Sequence, residues 1–162
     1  MSTVQYEAKR RILDLVEESA RSGMLSKLGA DGRGVQVKRD ARPSDMEDRC
    51  IYAGGTREER PPEGLMEDGQ SFVQQVAAYS SWFIRVRGET DAGSEPGKEI
   101  ETLERIAEEI GAVFENIISE NTQLAGPRTD TYVSAVQADH DWEDVTNGVI
   151  LTYEVRTDAL VQ

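Results

Sequence analysis

The chain has 162 residues, of which 38% are hydrophobic, and this length fits a single domain over 1–162 with one buried core. Aspartate and glutamate number 31 against 18 lysines and arginines, and the formal net charge of -13 argues against a protein that grips nucleic acid through its phosphates. No apolar run approaches the about 20 residues of a membrane-spanning helix, and the polar amino terminus predicts no signal peptide.

The first predicted element is an amphipathic helix over 6–22, which ends at Gly23. Its apolar stripe consists of Ala8, Ile12, Leu15, Val16 and Ser19. Brief alternation over 35–39 and the run "DRCIYAGG" at 48–55 each predict a strand. The stretch "TREERPPEG" is charged and broken by proline, and it predicts an exposed loop over about 54–69.

Two extended runs follow, over 72–79 and 81–87. The side chains of the second run alternate between an apolar face and a face with two guanidinium groups. The apolar face consists of Trp82, Ile84 and Val86, and the other face consists of Phe83, Arg85 and Arg87. A second exposed loop is expected over about 89–97.

A long helix begins near Pro96, because the fixed backbone angle of proline suits a first helical turn. Its apolar face consists of Ile100, Leu103, Ile106, Ala107, Ile110, Val113, Phe114 and Ile117. Glutamates occupy most of the opposite face, as is typical of a helix that packs on a core with one side.

The end of the chain predicts a long hairpin. Runs over 131–142 and 149–156 flank Asn147-Gly148, which is a favourable turn pair. One face of the second run consists of Val149, Leu151, Tyr153 and Val155. The order of elements predicts an α+β fold, with an antiparallel β-sheet, an N-terminal helix and one long helix packed on one face, and a C-terminal β-hairpin.

The chain offers no recognisable catalytic constellation. His140 is the only histidine, which nearly excludes a histidine-based metal site or a catalytic triad. The single cysteine, Cys50, has no internal disulfide partner and is interpreted as a lone thiol. The glycines of "GADGRG" at 29–34 match neither the dinucleotide-binding spacing nor the P-loop spacing. We therefore expect no enzymatic activity, no catalytic residues and no cofactor.

The acidic run "DHDWED" at 139–144 raises the alternative of a calcium loop. Counted from Asp139, the sixth position is Asp144, where such a loop needs glycine, and the twelfth is Ile150, where it needs glutamate. A solvated flank of a turn is the favoured interpretation, with an adventitious cation site as the alternative. No metal site is predicted.

The mixed character of the strands suggests contact with another protein. Arg85 and Arg87 alternate with apolar residues on one strand, and Glu154 and Arg156 do so on another. Such a mixture is typical of protein interfaces, while a solvent-facing strand side is the alternative. The loop over 54–69 is either a dispensable excursion or an arm that reaches a neighbour. The predicted subunit-interface residues are Arg57, Arg60, Arg85, Arg87, Glu154 and Arg156.

The sequence resembles the tail-terminator, or tail-completion, proteins of long-tailed bacteriophages and archaeal viruses. The features that carry this resemblance are an amphipathic first helix, "DRCIYAGG" with the charged "REER" after it, and the arginine-bearing "WFIRVRGET". They continue with a long helix that leads into "NTQLAG" and with the hairpin "VSAVQADHDWEDVTNGVILTYEVRTDALV". The resemblance covers most of the chain from about Asp48 onward.

The resemblance implies a small structural subunit of the virion, assembled in the host cytoplasm. Such subunits form a hexameric ring at the head-proximal end of the tail tube, where the ring stops tube growth and docks to the head connector. The implied partners are further copies of the chain, the tail tube protein and a head-connector or head-completion protein. Genomic DNA would pass through the channel without specific binding, which an acidic lining would permit.

Two other functions stay open. One is another neck or tail protein of the same kind of particle, such as a head-completion protein or the tube subunit. The other is a cytosolic α+β ligand-binding domain with a small-molecule pocket between sheet and helix.

The balance of charges also suggests a protein that works in strong salt. Acidic residues dominate, and arginine is preferred to lysine; the lysines are Lys9, Lys27, Lys38 and Lys98. The Debye length falls to about 3 Å at 1 M salt, so the self-repulsion of an acidic surface is screened there. Halophily is therefore a hypothesis.

Overall fold

The computed structural model describes residues 4–28, 34–40, 42, 46–60, 74–89, 96–143 and 146–161. The helices are α1 (Val4–Ser22), a short 3-10 helix (Met24–Lys27) and α2 (Pro96–Glu120). The strands are β1 (Gln36–Lys38), β2 (Arg49–Glu59), β3 (Gln74–Glu89), β4 (Thr129–Glu143) and β5 (Thr146–Val161). Among the described residues, no helix is long and apolar enough to cross a membrane.

The strands form one sheet in the order β1-β2-β3-β5-β4. All neighbours are antiparallel except β1, which runs parallel to β2 and makes the sheet mixed. The buried residues of α1 and α2 join alternate residues of β2, β3 and β5 in a single hydrophobic core. The predicted α+β class, with both helices on one face and a C-terminal hairpin, is confirmed.

The core is centred on three aromatic side chains, one on α2 and two on the sheet beneath it. The ring of Phe114 lies 5.7 Å from that of Trp82 and 5.3 Å from that of Tyr153, between ring centroids. The indole Nε1 of Trp82 donates a hydrogen bond to Ser80 Oγ at 2.8 Å, so its polar group is satisfied inside the protein. Burial raises the pKa of Tyr153 to about 12.

The buried face of α1 differs from the prediction, because Leu15 and Ser19 are not fully buried and Leu13 is. Leu13 is buried beside Ile12 and Val16, whereas Leu15 is only half-buried. The predicted apolar alternation of the second run of β3 is confirmed, since Trp82, Ile84 and Val86 are fully buried.

The loop predicted over about 54–69 is wrong for its first part. Residues 54–59 belong to β2, and Thr56 to Glu59 pair with Ser80 to Ala77 of β3. A register shift between Ala53 and Thr56 absorbs the two glycines, which lets the strand continue into its charged stretch. Residues 61–69 lie outside the described residues.

The loop predicted over about 89–97 is wrong at both ends. Glu89 ends β3 and Pro96 begins α2, and residues 90–95 lie outside the described residues. The two extended runs before it form one strand, because β5 pairs with β3 without interruption from Gln74 to Glu89.

The turn predicted at Asn147-Gly148 is wrong. Both residues lie in β5, opposite Gly88 and Arg87 of β3 and opposite Trp142 and Asp141 of β4. Asn147 is buried, and its Nδ2 donates to Glu99 Oε2 at 3.1 Å, so a residue typical of turns serves here as a tether to α2. Residues 144–145 lie outside the described residues. The predicted acidic turn flank is strand up to Glu143.

Candidate assembly surface

The sheet has a second face, opposite the helices. Side chains alternate along each strand, so the residues between the core positions point away from α1 and α2. We call this side the outer face; it carries Tyr52, Arg57, Tyr79, Phe83, Tyr132, Glu154, Arg156 and Asp158. By the same alternation Arg85 and Arg87 of β3 lie on this side, so five of the six predicted interface residues share one side of the sheet with four aromatic rings.

Tyr79 is the centre of the outer face. It pairs in register with Arg57 on β2 and with Arg156 on β5, so both neighbouring strands place a guanidinium beside its ring. The Cζ atom of Arg57 lies 4.0 Å from the ring centroid, and that of Arg156 lies 5.5 Å from it. Both distances are in the range of cation–π attraction, which fixes two long side chains over one ring.

Carboxylates complete this cluster. Glu154 Oε2 lies 3.5 Å from Arg57 Nη2, and Glu154 Oε1 accepts a hydrogen bond from Ser134 Oγ at 2.8 Å. Asp158 lies 2.7 Å from Arg156 Nε and accepts a hydrogen bond from Tyr132 Oη at 3.0 Å. Four strands thus contribute to one paired network of charged and aromatic groups.

The network shifts the pKa values of its members. Desolvation, followed by the hydrogen bond to Asp158, raises the pKa of Tyr132, so its phenol stays a donor at neutral pH. The hydrogen bond to Asp158 is the main cause that raises the pKa of Arg156.

A second aromatic pair lies further along the same face. The rings of Tyr52 and Phe83 stack with centroids 4.9 Å apart and planes inclined by 17°. A Cβ atom at Gly54 would lie 2.6 Å from Phe83 Cε2, so the absence of a side chain at this glycine makes room for the stack. Both rings are only half-buried and are available to a contact.

The other predicted interface residues are placed differently. Arg85 is 6% exposed, and its Nη1 lies 3.0 Å from Met46 Sδ, so it is packed inside the protein. Arg87 is half-buried, and its backbone N–H donates to the Asp48 carbonyl at 2.8 Å. Arg60 follows β2 and pairs with Glu58 at 3.1 Å. Arg57 and Arg156 meet across Tyr79, whereas Arg85 is set apart by burial.

Sequence reasoning missed Tyr79, Tyr132 and Asp158. Their signal was present in the alternation of β3, β4 and β5, but each stands next to small or acidic residues that mark no interface by themselves. Only the register of three strands brings their side chains to one place.

The described residues also line two grooves. One, of about 570 Å³, lies between α1 and the segment after α2, and its lining includes Glu7, Arg11 and Asn121. The other, of about 560 Å³, lies between the end of α2 and β4, and its lining includes Glu115 and Val136. Among the described residues, no group of three or more histidine, cysteine or carboxylate side chains is placed to hold a metal ion.

Cys50 is buried on β2, where desolvation raises its pKa to about 11. A thiol with such a pKa is protonated at neutral pH and is a poor nucleophile.

No family model matches this sequence, and no curated protein matches it. A chain from a solved structure of the virion of a native gene transfer agent particle is similar to this chain with a TM-score of 0.44 and 10% identity. The match covers 96% of this chain and 94% of the other. At this TM-score and identity, the likeness supports no conclusion about the function of this chain.

Proposed function

We propose that this chain is a structural subunit of a virus-like particle, which acts at the neck as a tail terminator. Copies of the chain form a hexameric ring that ends the tail tube and docks to the head connector. The observation that carries the proposal is the outer face, where a paired arginine–tyrosine cluster stands on the side of the sheet opposite both helices. The sequence resemblance to tail-terminator proteins supplies the biological context.

The chemistry of the outer face suits a protein interface. Arginine and tyrosine are enriched where proteins bind one another, and they contribute a large share of the binding energy. Here Arg57 and Arg156 are already held over Tyr79, and about half of the Arg57 side chain, 53%, is exposed. Less side-chain freedom remains to be lost on binding, since the cluster is preorganised.

A ring needs two different surfaces on each subunit. Contacts that close by rotation are heterologous, so a patch on one copy meets another patch on the next. In this proposal the outer face is one of the two patches. The net charge of -13 gives the ring a surface along which DNA passes without adhering.

Charge reversal on the outer face tests this proposal. Arg57→Glu combined with Arg156→Glu should abolish the ring, because the cluster around Tyr79 would then carry only negative charge. The measurement is the mass in solution by light scattering, from low to multi-molar salt. Arg85 is a poor target for this purpose, since its burial would make reversal a test of folding.

The matched control is Arg21→Glu combined with Arg105→Glu. Both arginines are exposed on helices, so this variant has the same change in net charge and should still assemble. Circular dichroism and thermal unfolding should show both double variants folded. A wild-type protein that stays monomeric or dimeric throughout the salt series, or a reversed variant that still forms the ring, would contradict the proposal.

A further inference from the structure

β4 is an edge strand of the sheet, and its side away from β5 is covered only at the beginning of the strand. The backbone N–H of Thr131 donates to the Thr122 carbonyl at 2.8 Å, and this contact closes the edge there. Within the described residues, no backbone hydrogen bond reaches the side of β4 that faces away from β5 beyond Thr131. A register shift between Val133 and Ala135 then separates the covered start from a regular run, Ala135 to Glu143.

The register identifies the backbone groups that point outward along this run. Thr131 lies opposite Thr157 and directs its N–H away from β5. The register shift adds one residue to β4 while the alternation of β5 continues, so the backbone N–H groups of the β4 residues opposite Tyr153, Leu151 and Val149 also point away from β5. They are Val136, Ala138 and His140.

This edge has only part of the usual protection against pairing, namely acidic side chains and the register shift. Natural edge strands are commonly short, or they carry lysine or proline. β4 spans 15 residues and contains no lysine, arginine or proline. Val136 is 50% exposed, so an apolar side chain is also available beside the backbone groups.

The flanks of the edge are acidic. On the helix side, Glu104 lies 3.5 Å from His140 Nε2, and Glu108 and Glu115 act electrostatically on Tyr153, the residue opposite Val136. On the outer face, Asp139 lies exposed on the same run. An incoming strand would therefore meet negative charge on both sides, which favours lysine and arginine in the partner.

We propose that β4 from Ala135 to Glu143 binds an extended, basic segment of a partner protein as a sixth strand of the sheet. Side chains on the helix side of that segment are apolar and pack beside Val136 and Ala138. Those on the opposite side are lysine or arginine and meet Asp139. A second copy of β4 is disfavoured as the occupant, since pairing of two such edges would bring acidic residues together. This docking surface is distinct from the arginine–tyrosine cluster.

Hydrogen exchange with synthetic peptides tests the proposal. The probe is a peptide of about nine residues that alternates valine and lysine, a length within the usual range of strands. Its matched control alternates valine and glutamate. At low salt the basic peptide should slow exchange of the Val136, Ala138 and His140 amides, and the acidic peptide should not. Equal binding of both peptides, or protection confined to other strands, would overturn the proposal.

Two variants separate backbone pairing from general attraction. Ala138→Pro removes the backbone N–H of residue 138, which points away from β5 and makes no bond to it. This variant should abolish the protection of the β4 amides by the basic peptide. Glu115→Lys combined with Asp139→Lys should weaken binding of the basic peptide by about tenfold or more. Glu18→Lys combined with Glu109→Lys is the control with equal charge, and it should bind nearly as the wild type does. The proposal would be overturned if Ala138→Pro, confirmed as folded, and the variant with Glu115→Lys and Asp139→Lys both bound the basic peptide as the wild type does.

Self-pairing has its own readout in the same experiment. A dimer that Ala138→Pro dissociates would identify a second copy as the occupant and would overturn the basic partner. The ring test varies Arg57 and Arg156 on the outer face, so failure of either proposal is distinguishable from failure of the other.

Discussion

Gly111 sets how closely α2 approaches the sheet. A Cβ atom at this position would collide with the Tyr153 hydroxyl and would lie 3.1 Å from Tyr153 Cζ. The helix therefore carries its glycine at the point where a buried ring passes beneath it.

Overpacking by Gly111→Ala should cost about 3 kcal/mol, the upper end of the usual range, because the added carbon collides with the Tyr153 hydroxyl and forces the helix or the ring to move. The gain in helix propensity, about 1 kcal/mol, would offset only part of this. Urea unfolding measures the difference. Gly55→Ala is the control, since nothing lies within 4 Å of its added carbon. Adding Tyr153→Phe should recover part of the loss; an alanine variant as stable as the wild type would contradict the steric account.

The thiol of Cys50 gives an expected pH dependence. Burial raises its pKa from 9.0 to about 11, so the unfolded chain ionises first as the pH rises. The stabilisation is complete below the unfolded value and is lost as the pH approaches the folded one. Unfolding free energy should therefore fall above about pH 9, and less steeply in Cys50→Ala, in which the raised pKa values of Tyr153 and Tyr132 still contribute to this fall. Equal slopes in the two proteins would count against this assignment.

At the scale of elements, the two helices and the apolar face of β5 followed from periodicity, because their sequences alternate or repeat without interruption. The ends of the strands did not. Thr56 to Glu59 are charged enough to resemble a loop, yet they lie in β2 because β3 supplies backbone partners for them. Asn147-Gly148 has the composition of a turn but is strand, since β5 has neighbours on both sides.

The tether between β5 and α2 predicts a charge-specific effect. Asn147→Asp would place a second carboxylate beside Glu99 in a buried site, and it should cost on the order of 3 kcal/mol at neutral pH. The loss should diminish in acid, as one carboxylate becomes protonated. Thermal unfolding at both pH values measures this, with exposed Asn116→Asp as the control. A variant at position 147 as mild as the control would show that the tether does not stabilise the fold.

At the scale of the whole molecule, charge is the dominant property. A net charge of -13 on 162 residues opposes the compact state through self-repulsion. Exposed ion pairs such as Arg39 with Glu17, 2.9 Å apart, contribute little to stability. Salt that weakens these pairs would therefore lower the free energy of unfolding only slightly. Screening of the self-repulsion by salt should therefore produce a net gain in stability against unfolding.

The halophilic hypothesis predicts higher stability in concentrated salt. The midpoint of thermal unfolding should rise from low salt to about 1 M potassium chloride, where the Debye length is about 3 Å. Sucrose at equal osmolality serves as a control for effects unrelated to screening. No gain between the two salt concentrations would contradict the hypothesis.

The sequence by itself determined the fold class, the two amphipathic helices, the alternating faces of β3 and β5, and the acidic surface. These properties depend on local periodicity and composition, which a chain carries without its partners. Tertiary structure decided the burial of Arg85, the strand status of Asn147, the close approach at Gly111, and the meeting of Arg57, Tyr79 and Arg156. The approach at Gly111 depends on how α2 packs on the sheet, and the others depend on strand register, which is fixed by pairing between residues far apart in the chain.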